Sequence, residues 1–124
     1  MKTSFVPDAG SLAILRERLP IEMLESLERW YATPEQRQEI TCSPLNATPE
    51  ELRNAAPAVI QTCVRDSLQL DGERYAEKLR KAGVPVTFHC YPAVGHGFTE
   101  TEGPEQEKGI RWLLDAIRAM SEEL

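Results

Sequence analysis

Apolar positions change their spacing partway along the chain, and the change divides it into two parts. From Ser11 to Arg37 they recur at helical intervals: Leu12, Leu15 and Leu19, then Ile21, Leu24 and Leu27, with Trp30 and Tyr31 behind them. Pro20 suits the first turn of a helix, so this stretch predicts two short helices, not one long one. Thr33-Pro34-Glu35-Gln36 predicts a further helix start, with Thr33 as cap, Pro34 at the first helical position and Gln36 at the third. A turn-rich connection at Cys42–Asn46 leads to Thr48-Pro49-Glu50-Glu51, which repeats the capping pattern for one short helix ending before Pro57.

Beyond Pro57 the pattern is that of strands alternating with helices. Ala58-Val59-Ile60-Gln61-Thr62-Cys63-Val64 is a short, β-branched apolar run bounded by Pro57 and Arg65-Asp66-Ser67, which predicts a strand buried on both faces. Asp71-Gly72 opens a helix whose Tyr75, Leu79 and Ala82 share a face, and Gly83 closes it as a left-handed cap. Val84 to Tyr91 predicts a second strand, with Pro85 tolerable near its start. Pro104 begins the last helix, whose Ile110, Leu113, Leu114, Ile117 and Met120 form an apolar face suited to covering a sheet. This βαβα order makes the two strands parallel and sets the class as α/β. Thr3–Val6 is a candidate third strand. A sheet of two to three parallel strands leaves unpaired edges and uncovered apolar surface, so this half reads as the end of a larger sheet.

Composition narrows the partners. With 20 acidic and 14 basic side chains among 124 residues the net charge is −6. That balance lacks the Lys/Arg excess that drives nucleic-acid or anionic-membrane binding. No apolar run approaches the roughly 18 residues of a membrane span, and the first residues carry no signal-peptide pattern. Cys42, Cys63 and Cys90 show no Cys-x-x-Cys spacing and read as reduced thiols of a cytoplasmic protein. With only His89 and His96 as imidazole donors, no metal site and no cofactor are expected.

Ligands of open α/β sheets bind beyond the carboxyl ends of the strands. Asp66 falls just past the carboxyl end of the first predicted strand and His96 past that of the second, so the topology brings an acid and an imidazole to one rim. A carboxylate beside an imidazole fixes its tautomer and stabilises the imidazolium during proton transfer. Read without that topology, the two are a turn-forming Asp and a loop His. Gly95 and Gly97 flank His96, which lets the backbone turn sharply and leaves the ring unobstructed.

At these residues the sequence resembles a family. Pro57-Ala58-Val59-Ile60-Gln61-Thr62, Asp66-Ser67-Leu68, Gly72 to Leu79, Ala82 to Val86, and Tyr91-Pro92 through His96-Gly97-Phe98 are similar to the C-terminal third of the α/β-hydrolase fold, in its hormone-sensitive-lipase-like carboxylesterase group. Trp30-Tyr31 and Ser43-Pro44-Leu45 look like the segment joining that family's substrate-covering helices to its penultimate catalytic strand. The resemblance implies residues 1–47 as a cap-like helical segment and connection, and 48–124 as the C-terminal βαβα part of the core. It implies Asp66 as triad acid and His96 as general base, in the order Ser, Asp, His. Ser67 departs from the Pro or aliphatic residue usual after the acid, and Gln69-Leu70-Asp71-Gly72 stands where the family commonly has Arg-Asp-Glu-Gly. Asp71 is therefore the alternative acid, with helix capping as its other reading.

The other half of the catalytic set is missing from these residues. None of Ser4, Ser11, Ser26, Ser43, Ser67 and Ser121 lies in a Gly-x-Ser-x-Gly elbow, and no His-Gly-Gly run supplies oxyanion-hole amides. Cys63 and Cys90 lie inside the predicted strands, not on the strained turn a nucleophile needs. Glu22, Glu25 and Glu28 read as a solvated helix face, and Trp30, Tyr31 and Trp112 as packing or an acyl-pocket wall. The expectation is a partial carboxylic ester hydrolase, its small ester substrate processed only with a complementing N-terminal hydrolase portion. The alternative is a non-catalytic interaction or dimerisation module that pairs with a second copy or a partner.

Overall fold

The structure, a computed structural model, describes residues 21–100 and 102–123. The predicted helix around Leu12–Leu19 and the candidate strand Thr3–Val6 lie outside them. The described elements are α1 (Ile21–Tyr31), α2 (Pro49–Leu52), β1 (Ala58–Arg65), α3 (Gln69–Lys81), β2 (Val86–Gly95) and α4 (Pro104–Glu122). Among the described residues, β1 and β2 are parallel neighbours in a two-stranded sheet.

The two faces of that sheet are covered by different helices. Ile60 and Thr62 face α3, and Gly72 of α3 sits so close that a Cβ there would lie 2.5 Å from Thr62 Cγ2. The opposite face meets α4: Gln61 Nε2 donates to the Gly109 carbonyl at 3.0 Å, and the Tyr91 hydroxyl donates to the Lys108 carbonyl at 3.1 Å. His89 lies 5.2 Å from Trp112 on that face, so Trp112 is a packing residue. Parallel strands with a helix on either face are the expected α/β arrangement.

Turn chemistry explains where α3 stops. The Val84 amide donates to the Leu79 carbonyl, the Gly83 amide donates to Arg80, and Gly83 has φ of 80°. This is a complete Schellman motif, in which only glycine takes the left-handed position without steric cost. It folds Val84 back onto Leu79, and the two join Ala47 and Leu52 in the buried core, with Ile60 and Val86 packed alongside. The short α2 is held by the predicted capping box: the Glu51 amide donates to Thr48 Oγ1 and the Thr48 amide to the Glu51 carboxylate. Those bonds from Thr48 hold the Glu51 carboxyl below its ordinary range. Lys78 ties α3 to the preceding connection, its Nζ donating to the carbonyls of Leu45 and Ala47, each at 2.6 Å. Charged donors to backbone acceptors are worth more than neutral ones. Lys78→Met should therefore cost about 2 kcal/mol in urea denaturation, because it leaves both carbonyls without their donor.

Several expectations are corrected. Thr33 and Gln36 do exchange capping bonds, but they enclose a single 3-10 turn at Gln36–Gln38 and not a longer helix. There the chain is bent by longer-range ties, Arg37 to Glu28 at 2.7 Å and Asn46 Nδ2 to the Arg37 carbonyl. β1 is mostly half-buried, with Cys63 its one buried residue, because β1 has a partner strand on one edge alone among the described residues. β2 runs on past Tyr91 to Gly95, so Pro92 does not end it. The apolar face of α4 splits: Gly109 and Ala116 are buried, while Ile110, Leu114 and Ile117 are 41–50 % exposed. Trp30 and Tyr31 on α1 are likewise exposed, at 81 % and 77 %.

Candidate active site

The carboxyl ends of β1 and β2 meet at an irregularity in their pairing. Cys63 stands opposite Tyr91, but Arg65 stands opposite Gly95, so β2 spends two more residues than β1 over this interval. A bulge of this kind bends a strand and re-aims the residues beyond it, and Pro92, which has no amide proton, falls within it. The excess brings Gly95, and with it His96, level with Arg65 and Asp66.

Asp66 is fixed before His96 reaches it. Its amide donates to the Cys63 carbonyl at 3.1 Å as the chain leaves β1, and its Oδ1 accepts the Leu68 amide at 2.8 Å. This Asx turn points the second oxygen along the rim. Oδ2 then lies 2.7 Å from His96 Nδ1. The Cys63 thiol also approaches Oδ2, at 3.8 Å. The Asp66 side chain is 12 % exposed, whereas that of His96 is 69 % exposed. A carboxylate accepts, so a neutral ring must carry its proton on Nδ1, and the lone pair of Nε2 is left as the basic site. The ring stands over an open cavity of about 340 Å³ that Phe98, Glu102, Pro104 and Gln106 help to line.

The structure thus brings together the acid and the imidazole that the sequence singles out. The alternative acid, Asp71, lies in the first turn of α3 with Arg74 Nη1 at 3.9 Å. It is not the cap, because the N-cap position is Leu68. A negative charge in a helix's first turn is favourable in its own right. Glu22 and Glu25 are solvent-exposed on α1, while Glu28 is half-buried in its ion pair with Arg37. Cys42, Cys63 and Cys90 form no disulfide, and Cys63 is buried at 3 % exposure. Ser43 and Ser67 are buried too, at 2 % and 5 %. Among the described residues no three His, Cys, Asp or Glu side chains converge to hold a metal, and no helix is long and apolar enough to cross a membrane.

Sequence reasoning missed the support behind the His loop. The Phe98 ring lies 5.2 Å from that of Tyr91 and against the backbone of Gly109. Gln106 Nε2 donates to the Thr99 carbonyl at 3.0 Å. Burial and the nearby Glu105 charge raise the Tyr91 phenol above its ordinary range, so it remains a donor to the Lys108 carbonyl. The isolated Gly109 amid good helix formers was the available signal.

Parallel β1 and β2, helices on both faces and an Asp–His pair at the carboxyl rim define a class of protein. The chain belongs to the alpha/beta hydrolase fold family, whose model matches residues 10–100. Its fold is that of the C-terminal portion of a carboxylic ester hydrolase-like member, as the resemblance to the hormone-sensitive-lipase-like group implies. It is 32 % identical over 104 residues to Esterase LipI of Mycobacterium tuberculosis, a match covering 82 % of this chain and 32 % of that protein. The carboxylesterase EstE1, cloned from a metagenomic library, superposes with a TM-score of 0.80 at 26 % identity over 93 % of this chain and 40 % of its own. A mutant of esterase rPPE superposes with a TM-score of 0.70 at 33 % identity over 76 % and 31 %. The chain therefore spans about a third of the length of LipI.

Proposed function

We propose that Asp66 and His96 are the acid and base of a carboxylic ester hydrolase whose serine and oxyanion-hole amides come from a complementing N-terminal hydrolase portion. Residues 48–124 carry the acid–base rim in this reading, and residues 1–47 the cap-like cover. The 2.7 Å contact between His96 Nδ1 and Asp66 Oδ2 carries the proposal, because it presents Nε2 as the base. Nε2 takes the proton of the serine hydroxyl as the oxygen attacks the ester carbonyl. The imidazolium, stabilised by Asp66, then returns that proton to the departing alcohol, leaving an acyl-enzyme. Water attacks the acyl carbonyl by the same relay: Nε2 takes the water proton and returns it to serine as the acid leaves. The substrate is a small carboxylic ester. Three cysteines that form no disulfide suit a reducing, cytoplasmic setting.

A second reading, a non-catalytic module that pairs with another copy or a partner chain, is favoured by the exposed ridge of Ile110, Leu114 and Ile117. One experiment separates the two. Residues 21–124 are placed in register for the C-terminal portion of a matching esterase, and hydrolysis of a short-chain nitrophenyl ester is followed. The chimera should turn over, and the 124-residue chain by itself should not. A folded but inactive chimera counts for the second reading. Robust turnover by the chain alone, lost on His96→Ala, would overturn the need for a complement.

A further inference from the structure

We propose that Gly109 and Phe98 form the seat that holds His96 against Asp66, with Phe98 acting as a positioning residue for the ring. The inference rests on the Asp66–His96 pair, but its readout does not depend on turnover. The His96 side chain is 69 % exposed, and the glycines on either side offer it no steric guide; Gly97 has φ of 73°. Its direction is therefore set by where the loop is anchored, and the anchor comes two residues later.

The outer edge of the Phe98 ring occupies the place where any residue other than glycine at position 109 would carry its Cβ. A Cβ at Gly109 would stand 2.5 Å from Phe98 Cε2, 2.8 Å from Cζ and 3.2 Å from Thr99 Cγ2. Real Cβ atoms do not approach a ring so closely, so the Phe98 ring can keep this position only over a glycine. Glycine inside a helix is locally unfavourable, by about 1 kcal/mol relative to alanine, and Gly109 is buried within α4. The surrounding bonds hold that turn of α4 on the sheet and the loop on α4. Gln61 of β1 donates to the Gly109 carbonyl, Tyr91 of β2 donates to the Lys108 carbonyl, and Gln106 donates to the Thr99 carbonyl. Both strands that carry the site thus fix the seat, and the seat fixes the loop that carries His96. The other ionisable groups at the ring are Asp66, reached from β1, and Glu102 and Glu105, which line the same cavity.

The test is the tautomer of His96, read from its imidazole ¹⁵N shifts in the 124-residue chain at a pH where the ring is neutral. In the unaltered chain the proton should sit on Nδ1. Phe98→Ala removes atoms without crowding, and it should release the ring into the Nε2–H-dominated mixture of free imidazole. Gly109→Ala should do the same by displacing Phe98. Adding Phe98→Leu to Gly109→Ala makes room for the new methyl and should restore the Nδ1–H form. Far-UV circular dichroism and the Leu79 methyl signals report whether each variant keeps the fold. If Gly109→Ala does not fold, Phe98→Ala carries the test by itself. A folded Phe98→Ala chain with His96 still fully in the Nδ1–H form overturns the seat. A free ring in the unaltered chain overturns the Asp66–His96 pairing instead.

Discussion

Asp66→Asn in the active chimera should lower kcat by about 10⁴-fold with KM little changed. The substitution keeps the shape of the side chain, and the amide oxygen can still accept the Leu68 amide that orients it. What it removes is the negative charge at Oδ2, 2.7 Å from His96 Nδ1. The amide nitrogen introduced there is a donor, which favours a ring with a bare Nδ1 and a proton on Nε2. That ring cannot take the serine proton, and the imidazolium it would form has no counter-charge. His96→Ala should fall to a similar residual rate, because the two act as a unit and their losses do not add. Steady-state kinetics of the two single variants and the double variant checks this. A double variant much slower than either single one would count against a shared role, and an Asp66→Asn enzyme within tenfold of the parent would reject Asp66 as the acid. Asp71→Asn is the control: Asp71 belongs to the first turn of α3, beside Arg74, and its loss should leave kcat nearly unchanged.

The parts of this site that were legible in the sequence are those determined by neighbours in the chain. Pro57 and the β-branched run locate β1, Gly83 ends α3, and the Thr48 capping box starts α2, all through contacts a few residues apart. Because strand order follows from a βαβ crossover, the placement of Asp66 and His96 on one rim was legible as well. The parts that were not legible are decided by contacts between distant segments. The bulge that carries β2 past Pro92 depends on pairing with β1 and has no local signature. The apolar residues of α4 span so wide an arc that periodicity cannot say which half meets the sheet. Gly109 decides it, because that side alone accepts Phe98 and the Gln61 amide, and Ile110, Leu114 and Ile117 are turned outward as a result. Thr33 and Gln36 show the converse case. Their capping bonds form as the sequence predicts, yet no longer helix grows from them, because Glu28 and Asn46 bind Arg37 into a turn.

Leu79→Ala should abolish cooperative unfolding of the 124-residue chain while merely lowering the Tm of a complemented hydrolase. Leu79 is 1 % exposed and sits where α3, the Ala47 connection and Val84 converge, packed alongside Ile60 of β1 and Val86 of β2. It also carries the carbonyl that accepts the Val84 amide in the Schellman motif. Truncating a leucine in such a setting costs about 2–5 kcal/mol through lost burial and the cavity left behind. Single domains have about 5–15 kcal/mol in total, and this chain belongs at the low end, since β1 has one paired edge among the described residues and α4 exposes an apolar ridge. Urea denaturation followed by far-UV circular dichroism measures the loss, and a sharp transition within 1 kcal/mol of the parent would refute it. Ile117→Ala supplies the opposite pattern. At 50 % exposure Ile117 contributes little to the chain alone, so its truncation should shift the midpoint hardly at all there. If the complementing portion of the proposed enzyme covers that ridge, the same truncation in the chimera should cost about 1–2 kcal/mol. An equal, small effect in both would mean that the complement leaves the ridge uncovered, and the ridge would then count for the pairing module of the second reading.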